Sequence, residues 1–255
     1  MKAIILAAGK GERLSEITQK IPKPMIEFRG KPILQHNVEL CKKYGIDEIF
    51  INLHHLPEKI TSYFGNGEKF GVSIKYSYED ELLGTAGAVK KIVKESWVEG
   101  EGKSLNNKVT KGQHNFYVVY GDQISNFNLG RLKEKYNEHD REDSLMGVVA
   151  FHYRKDVVHS GVAEFDNEKK IVRFIEKPRQ GETKSHWVNA GVYYLSHSII
   201  NFIPSAFSDF GRQVFPSLLE RNLSLYGVCE RKDVSVFDTP ELYKRSIENS
   251  GECNG

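Results

Sequence analysis

The chain has 255 residues, 39% of them hydrophobic and 27% charged, enough apolar content for one large α/β domain or at most two small ones. A net charge of +2 is too near neutral to indicate a nucleic-acid binder or a protein held to a membrane surface by charge. Cys41, Cys229 and Cys253 show no C-x-x-C spacing, so neither a disulfide framework nor a zinc knuckle is indicated, and a reducing cytoplasm is expected.

No apolar leader with a cleavage site opens the chain, and no run approaches a membrane span. Instead Ala3 to Ala8 is a short, wholly apolar run, as in a strand buried on both faces of a parallel sheet. Gly9 and Gly11 follow, allowing a tight turn whose amide N–H groups meet phosphate oxygens. Arg13 adds a permanent charge and a planar donor fork. Pro22 and Pro24 then hold Lys23 in a restricted segment, so its ammonium loses less entropy on meeting an anion. The string is not a dinucleotide fingerprint, which needs glycine at Leu14, and no P-loop sequence occurs anywhere.

Further along, Pro32 to Lys43 has helical apolar spacing with Gly45 as a stop, and Asp47 to Leu53 reads as a strand. Pro57 to Phe64 reads as a short helix and Val72 to Tyr78 as an alternating strand. Strand and helix in alternation predict a Rossmann-like α/β fold, a mixed, mainly parallel sheet with helices on both faces. Leu82 to Val89 (LLGTAGAV) places Gly84 and Gly87 for close backbone approach and Thr85 where a helix begins, as cap or ligand donor. The polar stretch from Lys94 to His114 reads as a solvated surface loop. Asn115 to Tyr120 is the next strand, and Asp122 just past its end offers a carboxylate to a hard cation or serves as a simple turn residue.

In the second half Gly161 to Asp166 and Ile171 to Glu176 read as two strands joined by a turn, with Glu176-Lys177-Pro178 at the exit. Trp187 to Tyr194 (WVNAGVYY) is another strand, and Val234 to Glu241 (VSVFDTPE) runs from a strand into a proline-opened helix.

Together these strings resemble the sugar-1-phosphate nucleotidylyltransferases, whose signatures are L-A-A-G-x-G-x-R-L then P-K-P, L-G-T-A-G/H-A, a G-D after a strand, E-K-P, N-A-G-x-Y and D-x-G-T-P-E. The resemblance spans most of the chain. It implies one domain over 1–249, with a nucleotide-binding half at 1–129, a sugar-binding half at 130–249, a tail at 250–255 and no C-terminal β-helix. It implies transfer of a nucleoside monophosphate from a nucleoside triphosphate to a sugar 1-phosphate, giving NDP-sugar and pyrophosphate. Nucleotide contacts would come from Leu6, Ala7, Ala8, Gly9, Gly11, Gly84, Thr85 and Gly87. Catalytic cations and carboxylate would be Arg13, Lys23 and Asp122, and Mg²⁺ would be held by Asp122 and Asp238. Gly161, Glu176, Lys177 and Asn189 would hold the sugar and its phosphate. The chain departs from the pattern where the glycine before Thr239 is missing, and where no second acidic residue follows Asp122.

Pyrimidine-specific members often carry glutamine where this chain has Leu82. Its absence points to GTP with mannose or manno-heptose 1-phosphate, with uridylyl, thymidylyl or cytidylyl transfer as the alternative. Two readings from other classes stand beside it. A glycosyltransferase should show D-x-D after the central strand, where Asp122-Gln123-Ile124 stands, and a non-catalytic paralogue should lack cations or carboxylates that are all present here. A homodimer is allowed by the family pattern, with neither nucleic acid nor membrane as a partner.

Overall fold

The structure is a computed structural model that describes residues 1–11, 14, 18–97, 114–231 and 234–237. The chain divides into two compact units. Among the described residues the first takes 1–82, 119–126 and 234–237, and the second takes 83–118 and 127–231.

Strand β1 (Lys2–Leu6) opens the first unit, with Ala3, Ile4 and Ile5 wholly buried. A short 3₁₀ turn at Lys23–Met25 follows, then the two-residue strands β2 (Glu27–Phe28) and β3 (Lys31–Pro32). Helix α1 (Ile33–Lys43) buries Ile33, Leu34, Asn37, Val38 and Cys41, and the chain leaves it through Gly45 at φ 68°. Burial pushes the Cys41 thiol up to about 12, so it is an inert core group. Strand β4 (Glu48–Leu53), helix α2 (Pro57–Phe64) and strand β5 (Ser73–Tyr78) complete this segment. Parallel strands need crossovers, and the helices supply them. β1 pairs parallel with β4 (Ala3 opposite Ile49), and β4 pairs parallel with β5 (Ile49 opposite Ile74).

Helix α3 (Gly84–Ser96) opens the second unit, and β6 (Phe116–Tyr120) carries the chain from there into the first, where β7 (Gln123–Ile124) follows. The second unit resumes with α4 (Leu129–Glu138), β8 (Leu145–Tyr153), β9 (Gly161–Phe165), β10 (Ile171–Glu176) and β11 (Trp187–Leu195). A π-helical turn at Phe210–Val214 continues into α5 (Phe215–Glu220), and β12 (Ser224–Glu230) closes the unit. Here β10 is antiparallel to β9, β11 antiparallel to β9 and β8, and β12 parallel to β8. The fold is thus the expected α/β one, with a mixed, mainly parallel sheet in which β1 with β4 and β4 with β5 are parallel.

Back in the first unit, β13 (Ser235–Val236) pairs antiparallel with β7. Phe237 is wholly buried there beside Leu14, Ile26, Phe28, Ile33 and Ile124, its ring 5.2 Å from that of Phe28. Burying a side chain of this size contributes about 1.5–3 kcal/mol, which ties residues 234–237 to the β7 turn. No described helix is long and apolar enough to cross a membrane.

Candidate active site

In the first unit the site begins where β1 ends. Leu6, Ala7 and Ala8 are buried, and the Ala7 amide donates to Asn52 Oδ1 at 2.7 Å. Asn52 Nδ2 in turn donates to the buried Glu79 carboxylate at 2.8 Å. The amide of Ala7 is therefore committed inside the protein, whereas Gly9 is exposed with open space where a Cβ would stand. Gly11 closes the turn at φ 64°, its carbonyl accepting from the Leu14 amide and the Thr18 hydroxyl.

Lys23 lies in the 3₁₀ turn between its two prolines, and its side chain is 6% exposed. Its Nζ donates to Asp122 Oδ2 at 2.7 Å. Two hydrogen bonds to its backbone neighbours put Asp122 there. The Gly121 amide donates to the Leu6 carbonyl at 2.8 Å, and Asn37 Nδ2 donates to the Gln123 carbonyl at 3.0 Å, so the turn is clamped on both sides of the aspartate. A buried ammonium against a half-exposed carboxylate is costly unless paired, and here the pair is made. Sequence reasoning placed both residues at the site, and the structure brings them into contact across 99 positions.

Arg13 and Asp238 lie outside the described residues, as do 98–113 of the polar stretch. Among the described residues no group of three or more His, Cys, Asp and Glu side chains could hold a metal. Asp122 nonetheless suits a hard divalent ion, which binds through one or two carboxylates together with phosphate oxygens and water.

In the second unit two groups of the expected residues form. Gly84 starts α3 at φ 76°, and a Cβ there would run into the Ser208 carbonyl. That carbonyl accepts from the Ala86 and Gly87 amides at 3.0 and 3.2 Å, while the Ser208 amide donates to the Leu83 carbonyl. The Thr85 hydroxyl makes no helix cap, and α3 has no side-chain cap at all. It donates to Asp209 Oδ2 at 3.0 Å and accepts from the Phe210 amide at 3.0 Å. Its one proton is thus spent on the protein.

The second group is built on the β9–β10 ladder, where Gly161 stands opposite Glu176. Glu176 Oε2 lies 2.7 Å from where a Cβ on Gly161 would be and 2.5 Å from the same point on Gly211. Burial first and the nearby Asp209 second push the Glu176 carboxyl above its ordinary value, against the opposing pull of Lys177 and Arg212. Lys177 is exposed and takes φ 55°, its amide donating to the Ser160 carbonyl. Asn189 keeps its side chain within β11, donating to the Tyr193 hydroxyl at 2.8 Å and accepting from the Gly191 amide at 2.9 Å.

Asn52, Glu79, Ser208 and Asp209 are site neighbours that sequence reasoning missed. Only Asp209 carries a legible signal, an aspartate two residues before the glycine of a helical start, as a capping residue should be.

A family model described as nucleotidyl transferase matches residues 2–235. The chain belongs to the nucleotidyl transferase family. A UTP-glucose-1-phosphate uridylyltransferase from Synechocystis is 35% identical over 89% of this chain and 58% of its own length. A mannose-1-phosphate guanyltransferase from Yarrowia lipolytica is 31% identical over 89% of this chain and 57% of its own length. The chain thus spans under three fifths of either relative. HddC from Yersinia pseudotuberculosis, solved with GMP-PN, shares the fold at a TM-score of 0.71, with 24% identity over 98% of this chain and 99% of that one. Family membership bears out the resemblance drawn from the L-A-A-G-x-G, P-K-P and E-K-P strings.

Proposed function

We propose that this chain transfers a nucleoside monophosphate from a nucleoside triphosphate to a sugar 1-phosphate. The carrying observation is the Lys23–Asp122 pair at 2.7 Å, clamped beside the end of β1 from which the exposed Gly9 turn leaves. In this reading the Gly9–Gly11 turn and Arg13 hold the triphosphate, with Arg13 steadying the leaving pyrophosphate. Lys23 meets the charge that develops at the α-phosphorus. Lys177 orients the attacking phosphate, and Glu176 and Asn189 receive sugar hydroxyls. Glu176 supports its assignment, because among the described residues its half-buried carboxylate has no hydrogen-bond partner. Reaction between two polyanions needs cations and positioning more than a protein nucleophile.

Asp122 with Asp238 would hold Mg²⁺, whose charge offsets that of the phosphates. Strand register supports this pairing, because Val236 lies opposite Gln123, next in sequence to Asp122.

GTP with mannose or manno-heptose 1-phosphate is the reading favoured by Leu82 and by the guanyltransferase relative at 31% identity. The uridylyltransferase relative at 35% identity supports UTP with glucose 1-phosphate as the second reading. Pyrophosphate release with Mg²⁺ across four or five nucleoside triphosphates and several sugar 1-phosphates tests both. The expected result is turnover with one guanine or uracil pair, and no turnover with any pair overturns the proposal.

A further inference from the structure

The proposed reading leaves Asp209 without a role, yet its carboxylate accepts three hydrogen bonds. Its Oδ2 accepts from the Thr85 hydroxyl at 3.0 Å, and its Oδ1 from the Gly211 and Arg212 amides at 3.0 and 3.3 Å. Its own amide donates to Gln213 Oε1 at 2.7 Å. Thr85 returns the connection by accepting from the Phe210 amide. One residue earlier, Ser208 is bonded through its amide to Leu83 and through its carbonyl to Ala86 and Gly87.

Residues 208–211 therefore form a strap. One end grips the L-G-T-A-G turn, and the other carries Gly211, against which the Glu176 carboxylate rests. A cap that only ended a helix would need neither the threonine hydroxyl nor the proximity to Glu176. The aspartate holds the nucleotide turn through a charge-assisted bond from Thr85, and the glycine two residues on packs against the Glu176 carboxylate, so a displacement at one end reaches the other through the strap.

We propose that Asp209 is a positioning residue that joins the nucleotide turn to the sugar-binding carboxylate, so that its hold sets the affinity for both substrates at once. This rests on the reading of Thr85 as nucleotide-side and Glu176 as sugar-side.

The test uses the whole chain with Mg²⁺ and the substrate pair that turns over fastest, comparing Thr85→Val, Asp209→Asn and the double variant. Each single variant should raise KM for the triphosphate and for the sugar 1-phosphate roughly tenfold, the scale of one lost hydrogen bond, with kcat within about threefold. The double variant should be no worse than the worse single one, because both break the same strap. A Thr85→Val enzyme whose sugar 1-phosphate KM stays within about twofold of wild type overturns the coupling, as do effects that multiply in the double variant.

Thr85→Val removes a single hydroxyl from a folded turn and keeps the test open if Asp209→Asn folds poorly. A second readout needs no turnover and so separates failure of the strap from failure of the proposed reaction. Asp209→Asn should lower the Glu176 carboxyl midpoint followed by NMR in the ligand-free protein, where Lys177 and Arg212 are the other charges facing it. An unchanged midpoint overturns the proposal.

Discussion

Lys23 Nζ and Asp122 Oδ2 are 2.7 Å apart, the lysine side chain 6% exposed and the aspartate 39%. That asymmetry separates the consequences of removing either partner. Asp122→Ala takes away the counter-charge nearest a buried ammonium, whereas Lys23→Met leaves a carboxylate that water already reaches. Thermal melts should therefore show Asp122→Ala as the more destabilising change. Turnover should fall by at least about a hundredfold in both Asp122→Ala and Lys23→Ala, as when a partner of transition-state charge is lost. Near-normal pyrophosphate release by either folded variant would remove these two residues from the chemistry.

Gly9 and Gly84 belong to similar-looking motifs but answer to different demands. Gly84 has φ 76° and the Ser208 carbonyl where a Cβ would go. Gly84→Ala should cost about 2 kcal/mol or more, from the left-handed backbone and the clash together, and lower the melting temperature. Gly9 has open space instead, so Gly9→Ala should melt like wild type while its KM for the triphosphate rises. A Gly9→Ala protein with both wild-type melting and wild-type KM would mean that no phosphate approaches that turn.

The proposed metal has its own signature. EDTA should abolish pyrophosphate release and Mg²⁺ restore it, and Asp122→Asn or Asp238→Asn should need roughly tenfold more Mg²⁺ for half-maximal rate. Activity undiminished in excess EDTA would exclude the role given to these carboxylates.

What the sequence discloses, and what it conceals, follows from the range of the interactions. Pro57–Phe64 and Ile171–Glu176 form with the bounds their residues imply, because proline, apolar alternation and flanking turn residues act locally. β8 and β12 carry no chemical motif and little alternation, being buried along almost their whole length, so periodicity does not mark them. At the site, Lys23 and Asp122 are each legible alone, but their contact depends on the clamp from Leu6 and Asn37. Thr85 shows the opposite case. Its place at a helix start suggests a cap, and a partner 124 positions away takes the hydroxyl instead. For Asp209 a local rule marks a helix cap, but nothing local names Thr85 as its partner.

Glu176 gives a prediction in which pH and stability are linked. Burial and Asp209 raise its folded-state pKa above the ordinary glutamate value. The native protein therefore binds that proton more tightly than the unfolded chain does. The resulting contribution is most favourable below the unfolded value of about 4.3, and declines as pH rises from there through the folded pKa. Above that window the half-buried carboxylate is a standing cost. Glu176→Gln removes the charge and keeps the shape, so it should melt higher than wild type near neutral pH, with the gap closing as pH falls below about 4. The same variant should raise KM for the sugar 1-phosphate roughly tenfold while leaving that for the triphosphate nearly unchanged, because it spares both Thr85 and Asp209. Melting curves from pH 3.5 to 7.5, read beside the two KM values, check both parts. A variant no more stable than wild type at neutral pH would mean that the carboxylate is not penalised by its surroundings, and an unchanged sugar 1-phosphate KM would take Glu176 out of the sugar site.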